Sequence, residues 1–303
     1  MLLVVLSDDA LSLIIEVGGL VVAHRASGAC QRLRWLADGK LRAWLVVTKH
    51  REWIADQQYP WCVAVSEHSL FVSCPDFAQG GEMRLYGLST HGATRLMESE
   101  DVHCFAVCHQ RMLLIVAFKL RIVTFDLTSL DSLHSLELAA EDQDADDGAY
   151  NMQVVGDQLF VAFPDLDMIT SHDVVTLHMN ARLGTTHLRR PTDVAGCDGV
   201  LLITEMEANA LAICSMTGER LRTVCFEPVF EAIKPTSVTV IEQASGPSLM
   251  AVITQNWLMV LTLDGKVRQR VPARTRFQCA RATEQRLLVS DIDAHIVHEF
   301  RFE

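Results

Sequence analysis

Basic residues are fewer than acidic residues in this sequence, and charged residues of both signs make up a small part of it. The chain of 303 residues has 26 lysines and arginines against 38 aspartates and glutamates, a formal net charge of −12. Nucleic acids are bound mainly by cationic side chains that neutralise phosphates, so this balance argues against nucleic acid as the main partner. Charged residues make up 21% of the chain and hydrophobic residues 50%. Much apolar surface must therefore be hidden, in a core or against other proteins.

Motifs of common enzymes are also missing. The sequence has no Gly-x-Ser-x-Gly, no His-Glu-x-x-His, no phosphate-binding glycine loop and no Cys-x-x-Cys. Its nine cysteines are odd in number, lie mostly inside apolar runs and lack the spacing of a disulfide framework, which predicts buried, reduced thiols. We therefore expect no cofactor and no enzymatic activity.

No apolar run is long enough to cross a membrane. The best candidate is the N-terminal stretch 1–26, but Ser7-Asp8-Asp9 ends its first run, and Glu16 with Gly18-Gly19 interrupts the second. A membrane helix needs about 20 apolar residues, and a signal peptide needs a basic segment at its start. The sequence therefore predicts no membrane span and a soluble, intracellular protein.

What the sequence does contain is a recurring pattern of short strands. The pattern is clearest in residues 190–226, where four alternating or apolar runs are separated by a polar connection and by the tight turns Asp198-Gly199 and Thr217-Gly218. Strands of about five residues joined in this way form an antiparallel meander. A lone meander cannot bury its apolar faces, so copies must pack on one another, which predicts a β-propeller.

Copies of this unit predict an all-β fold with seven four-stranded blades in a single domain. Six blades are the alternative, because residues 11–47 match the unit least well. The last copy is one strand short, and the run 2–6 precedes the first inner strand, so we expect an N-terminal strand to complete the last blade and close the ring. The predicted blades are 10–48, 61–98, 102–139, 150–189, 191–226, 235–272, and 276–303 plus 1–6.

The central unit also resembles a known class of repeats. Pro191, Gly199, 203–205, Asn209 and 217–218 stand where NHL-type repeats have proline, a glycine turn, an apolar strand ending in an acid, and a Thr-Gly turn. A partial match is found at Pro235, 251–254 and 264–265. The repeats are thus similar to degenerate NHL-like or WD-like repeats, although the Trp-Asp and Gly-His landmarks of the WD type are missing. The resemblance implies a propeller that serves as an interaction platform, and it assigns no site residue.

A metal site in the central channel is one alternative. Six-bladed lactonases and related hydrolases hold a metal there on Glu, Asn and Asp side chains from several blades. The candidates by position, all in connections after the second strand of a blade, are Asp165, Glu205, Asn209, Asn256 and Asp291. These residue types also suit ordinary turns. A metal-dependent hydrolase is therefore the alternative function, and no metal is assigned.

Two groups of residues are candidates for partner binding. Four of the five tryptophans cluster at Trp35, Trp44, Trp53 and Trp61, around the stretch 49–58, which we interpret as a short helix. Tryptophan packs well in cores and also anchors protein interfaces. The second group is cationic: Lys266, Arg268, Arg270, Arg274 and Arg276. It would protect a sheet edge from strand addition or bind an acidic protein or RNA.

An acidic stretch at 141–148 has two interpretations. Its Asp142, Asp144 and Asp146 follow the spacing of a calcium loop, but Asp147 stands where that loop requires glycine and Gln153 where it requires glutamate. A solvated acidic loop is the simpler interpretation.

The leading hypothesis for the whole chain is a non-enzymatic scaffold that binds other proteins as a subunit of a larger intracellular assembly. An RNA-binding propeller is the weakest alternative.

Overall fold

The computed structural model describes residues 48–54, 60–66, 69–74, 82–87, 93–97, 102–118, 121–138, 148–184, 187–226, 234–243, 247–254, 256–273, 275–283 and 286–301. These residues form β-strands and a short 3-10 helix, Pro164–Leu166. The strands are β1 Thr48–Ile54, β2 Cys62–Val65, β3 Ser69–Cys74, β4 Glu82–Gly87, β5 Ala93–Met97, β6 Val102–Cys108, β7 Leu113–Phe118, β8 Arg121–Asp126, β9 Ser132–Glu137, β10 Asn151–Val155, β11 Gln158–Phe163, β12 Met168–Asp173, β13 Met179–Leu183, β14 Pro191–Cys197, β15 Val200–Glu205, β16 Ala210–Ser215, β17 Arg220–Cys225, β18 Pro235–Ile241, β19 Leu249–Thr254, β20 Trp257–Thr262, β21 Val267–Pro272, β22 Phe277–Ala282, β23 Arg286–Asp291 and β24 Ile296–Arg301.

Five blades are each formed by four consecutive strands: β2–β5, β6–β9, β10–β13, β14–β17 and β18–β21. A further four-stranded sheet in the described residues is composite, with the order β1-β24-β23-β22. The first strand of each blade contacts the first strand of the next, and β2 also contacts β22. The first strands therefore line the centre of a closed ring, which is a β-propeller.

The predicted blade count and the predicted closing strand are wrong. The structure has five blades of consecutive strands plus the composite sheet, and residue 48, the described part of the predicted blade 10–48, belongs to that sheet. Both the seven-blade prediction and its six-blade alternative closed the ring with residues 2–6. The position beside β24 is instead occupied by β1, with Thr48 opposite Arg301 and Ile54 opposite Ile296. The same strand replaces most of the helix predicted at 49–58.

Burial follows the order of the strands within a blade. The second strands are covered on both faces by neighbouring blades, so they are continuous apolar runs, and β7 and β19 are buried along their whole length. The fourth strands β9 and β17 are mostly exposed. No helix among the described residues is long and apolar enough to cross a membrane.

Candidate functional site

A layer of buried polar and thiol side chains fills the centre of the ring. Each first strand contributes one member, and all are at most 3% exposed: Cys62, Cys104, Asn151, Asp193, Ser237 and Cys279. Hydrogen bonds join members from different blades: the Cys62 thiol lies 3.5 Å from Asn151 Oδ1, and the Ser237 hydroxyl donates to Asp193 Oδ2 at 2.6 Å. We call these six residues the axial layer.

Arg281, on β22, holds the axial layer together. Its guanidinium donates to both oxygens of Asp193, at 2.8 and 3.3 Å, and to Asn151 Oδ1 at 2.8 Å. The side chains of Arg281 and Asp193 are 7% and 0% exposed. Burial alone would lower the pKa of Arg281, but the negative charge of Asp193, the two cysteines Cys279 and Cys62, and the hydrogen bond to Asp193 together outweigh this effect and raise the pKa. The two charges thus form a buried ion pair between the composite sheet and the blade β14–β17, and the hydrogen bond to Asn151 adds the blade β10–β13.

The charge of Arg281 also acts on the thiols of the axial layer. Cys62 Sγ and Cys279 Sγ are 3.9 Å apart. Burial favours the neutral thiol, but the hydrogen bond with Cys62 and the nearby guanidinium lower the pKa of Cys279 to about 7. The pKa of Cys62 is raised, first by burial and then by its interaction with Cys279. Cys279 is therefore the more acidic thiol of the pair, and it loses its proton before Cys62 does.

A second layer of side chains lies next to the thiols, at the N-terminal ends of the first strands. The rings of Trp61 and Tyr150 meet edge to face with centroids 5.6 Å apart, and Gln278 Nε2 donates to the Tyr150 hydroxyl at 2.7 Å. Trp61 is half-buried. Its ring therefore packs inside the fold, which is the first of the two roles that the sequence allowed for tryptophan here.

A cavity of about 890 Å³ lies at the opposite end of the first strands. Every first strand lines it with at least one residue, such as Ala64, Val107, Gln153, Gly196, Thr239 and Arg281. The connections between first and second strands form its mouth, for example at Gly156 and Thr283. Arg281 is engaged by Asp193 and Asn151, and the other charged residues of the lining are Glu242 and Arg286.

The five candidate metal ligands lie on the other face, in or beside the connections between second and third strands. The buried Glu205 carboxylate accepts two hydrogen bonds from Arg220, at 2.8 and 2.6 Å, and one from the Arg189 backbone N–H at 3.0 Å. Asp291 accepts from the Thr275 hydroxyl and the Arg276 backbone N–H.

The other three candidates have different surroundings. Asp165 lies 3.6 Å from Arg190, Asn209 is in a left-handed turn with φ of 48°, and Asn256 is exposed. No three His, Cys, Asp or Glu side chains in the described ranges are placed to hold a metal ion.

The partner-binding candidates are only partly described. Trp35, Trp44 and Arg274 lie outside the described residues, as does most of the acidic stretch 141–148. Trp53 lies in β1, opposite Val297 of β24. The remaining cationic residues are all exposed: Lys266, Arg268 and Arg270 lie on or beside the outer strand β21, and Arg276 directly precedes β22.

The axial layer was not predicted from the sequence. Its signal was one acid in the first strand β14, Asp193, and one base in the first strand β22, Arg281, each the only charged residue of its strand. Buried charges require a partner, so the two could have been paired. The prediction of buried, reduced thiols is confirmed for seven of the eight described cysteines; Cys225 is exposed.

Comparison with known proteins gives a structural likeness only. No protein-family model matches the sequence, and no curated protein matches it. The structure is similar to the WD40 β-propeller domain of Doa1, with a TM-score of 0.62 over 85% of this chain and 97% of that domain. Sequence identity is 11%, so the likeness shows the fold and no more. The β-propeller prediction is confirmed, and the NHL-like character of the repeats stays a prediction.

Proposed function

We propose that this protein is a non-enzymatic platform that binds an acidic segment of another protein on the outer face of the blade β18–β21, as a subunit of a larger intracellular assembly. The observation that carries the proposal is a row of exposed cations on a chain with a net charge of −12. We call Lys266, Arg268, Arg270 and Arg276 the basic rim.

Within the basic rim, Arg268 and Arg270 have guanidinium donors available for a partner, whereas Lys266 and Arg276 are paired. Lys266 lies 3.3 Å from Asp264, and Arg276 lies 3.3 Å from Asp293, so both are partly neutralised. The side chains of Arg268 and Arg270 form no hydrogen bond or ion pair within the described part of the chain. Exposed arginines without an internal partner keep all their donors for a carboxylate on another molecule.

The local backbone widens this surface. A β-bulge in β21, between the pairs Val260–Gln269 and Leu261–Val267, breaks the alternation of a regular strand, so Val267 and Arg268 are exposed together. Val267 is 43% exposed. Arginine beside apolar surface is typical of protein interfaces.

The neighbouring blade adds to the same surface. Arg222 of the outer strand β17 donates to the carbonyl oxygen of Leu263, directly before the basic rim. Leu221, next to Arg222, is 56% exposed. The described residues of this surface include no aromatic ring on which a nucleobase could stack, and single-stranded RNA is usually bound by such stacking. Charge and composition therefore favour an acidic protein segment as the partner.

Fluorescence anisotropy tests the proposal with two labelled probes, a peptide of alternating glutamate and leucine and a single-stranded RNA. We expect the peptide to bind the wild-type protein and the variant Arg268→Glu/Arg270→Glu to bind it at least about tenfold more weakly, because like charges across an interface repel. Binding should weaken as salt is added, since exposed charges are screened.

A charge-matched variant controls for net charge. Arg111→Glu/Arg189→Glu changes the charge equally but lies on other blades, so it should bind the peptide within about twofold of wild type. Equal binding of the peptide to wild type and to Arg268→Glu/Arg270→Glu would overturn the proposal. Tighter binding of the RNA, lost in that same variant, would replace it with the RNA-binding alternative.

A further inference from the structure

Two thiols meet where the two ends of the propeller ring join. Cys62 lies on β2 of the first blade and Cys279 on β22 of the composite sheet, 217 residues apart in sequence, with their sulfur atoms 3.9 Å apart. Both side chains are 1% exposed. The contact between β2 and β22 is the one that closes the ring.

Matching hydrogen bonds hold the two cysteines at the same height. The backbone N–H of Cys62 donates to the Ser73 hydroxyl at 3.0 Å, and the backbone N–H of Cys279 donates to the Ser290 hydroxyl at 3.0 Å. The Ser290 hydroxyl also lies 3.3 Å from the Trp61 carbonyl oxygen, across the junction. These hydrogen bonds therefore fix the positions of β2 and β22, and so of the two sulfur atoms, relative to each other.

The surroundings favour a thiolate over a bound metal. The guanidinium of Arg281 lies two residues further along β22 and stabilises negative charge on Cys279, whose pKa is lowered to about 7. The same positive charge opposes a metal cation at this position. A thiolate with a second thiol in contact is the arrangement from which a disulfide forms.

We propose that Cys62 and Cys279 are a redox-active pair whose disulfide covalently joins the first and last sheets of the ring. With a peroxide as oxidant, the Cys279 thiolate attacks one oxygen, the O–O bond breaks, and a sulfenic acid and hydroxide form. Cys62 sulfur then attacks Cys279 sulfur, the S–O bond breaks, the proton of Cys62 leaves and water is released. Two electrons pass from the two sulfurs to the peroxide, and a dithiol reductant reverses the change.

The disulfide would stabilise the closed ring. A bond across 217 residues restricts the unfolded chain strongly, and more than a short loop would. Because the pair lies between Arg281 and the Trp61–Tyr150 layer, peroxide reaches it only through local opening of the structure. We therefore expect oxidation of the native protein to be slow, and to reach completion without global unfolding of the chain.

The test treats the full chain with hydrogen peroxide, alkylates the remaining thiols after denaturation, and identifies linked peptides by mass spectrometry. We expect a Cys62–Cys279 cross-link that dithiothreitol removes, and a rise of about 5–10 °C in the thermal unfolding midpoint on oxidation. Cys279→Ser should lose both effects. Cys104→Ser, in the same layer, should keep them.

Three outcomes would overturn the proposal. One is that both cysteines remain alkylatable after prolonged oxidation, and another is that the midpoint of Cys279→Ser rises as much as that of wild type. Should Cys279→Ser fail to fold, the peptide analysis of the wild-type protein decides alone. A cross-link that appears only when urea is present during oxidation would also contradict the proposal, because it would show that the folded ring does not form this bond.

Discussion

Asp193 is the residue on which the axial layer depends most. Its carboxylate accepts from Arg281, from the Ser237 hydroxyl at 2.6 Å and from the Val238 backbone N–H at 3.1 Å. Asp193→Ala leaves the buried guanidinium unpaired, and removing one partner of a buried pair costs about 3–5 kcal/mol. We expect that loss in the free energy of unfolding measured with urea.

A surface pair and a double variant serve as controls. Arg111 and Asp157 also join two blades, but their side chains are 51% and 66% exposed, so Arg111→Ala should leave the urea midpoint almost unchanged. Asp193→Leu/Arg281→Met removes both charges and should be more stable than Asp193→Ala. A fall of under about 1 kcal/mol in Asp193→Ala would show that the pair does not stabilise the ring.

Asp173 gives a pH-dependent prediction. The Thr176 backbone N–H, the Thr176 hydroxyl and the Val175 backbone N–H all donate to one carboxylate oxygen, and these hydrogen bonds lower the pKa of Asp173. A lowered folded-state pKa stabilises the fold above the unfolded value of about 3.9. This stabilisation is lost as the pH falls through the folded-state pKa.

Thr176→Ala removes one of those donors, so the pKa of Asp173 should rise toward its ordinary value. NMR titration of the side-chain carboxyl carbons measures the change. Asp126, whose lowered pKa comes from the backbone N–H groups of Ser129 and Thr128, should keep its pKa in this variant. The advantage of wild type over Thr176→Ala in urea should be present at pH 6 and should shrink as the pH falls below about 3.9 toward the folded-state pKa of Asp173. An unchanged pKa of Asp173 would contradict the prediction.

Among the elements, the first strands β10 and β14 approach each other closely at a glycine. A Cβ atom at Gly196 would overlap the side chain of Val155. Glycine inside a strand often marks such an approach. Gly196→Ala should destabilise the protein by about 1–3 kcal/mol, because the added methyl group forces the two strands apart. Urea unfolding measures the loss.

A second substitution at the same contact checks the cause. Val155→Ala makes space for the new methyl group, so Val155→Ala/Gly196→Ala should be more stable than Gly196→Ala alone. Contacting residues are expected to deviate from additivity in this way. If the two losses simply add, the strands are not held apart by this contact and the argument from close approach is wrong.

At the scale of the whole molecule, local patterns were enough to predict an all-β fold and the strands of its central unit. The four runs predicted in residues 190–226 are the strands β14–β17, because alternation and tight turns such as Asp198-Gly199 act between neighbours in sequence. Pro191 and Pro235 each begin a first strand, as the repeat pattern indicated. These features needed no knowledge of distant contacts.

The features that were missed all involve distant parts of the chain. Strand β1 pairs with β24, at the other end of the described chain, and nothing in its own sequence shows which edge it joins. Counting repeats therefore gave the wrong number of blades and the wrong closing strand. The axial layer likewise unites Asp193 and Arg281, 88 residues apart. Alternation along a strand predicts on which face of the sheet a side chain lies, but not which other blade contacts that side chain.

The closing strand gives the prediction for the whole ring. A shortened chain that begins at Ala55 lacks β1, so the backbone groups of Ile296–Arg301 on that edge lose their partners. Unpaired sheet edges associate with other chains. We expect this chain to form larger species than the full chain in size-exclusion chromatography with light scattering, and to unfold at a lower temperature.

A chain that begins at Val47 keeps β1 and should behave as the full chain does. A synthetic peptide of residues 48–54 added to the chain that begins at Ala55 should reduce its association, because a strand supplied from outside can occupy the same edge. Monomeric behaviour of the chain that begins at Ala55, with an unchanged unfolding temperature, would mean that β1 does not close the ring. Association of both shortened chains would assign the effect to residues before 47 and would equally contradict this role for β1.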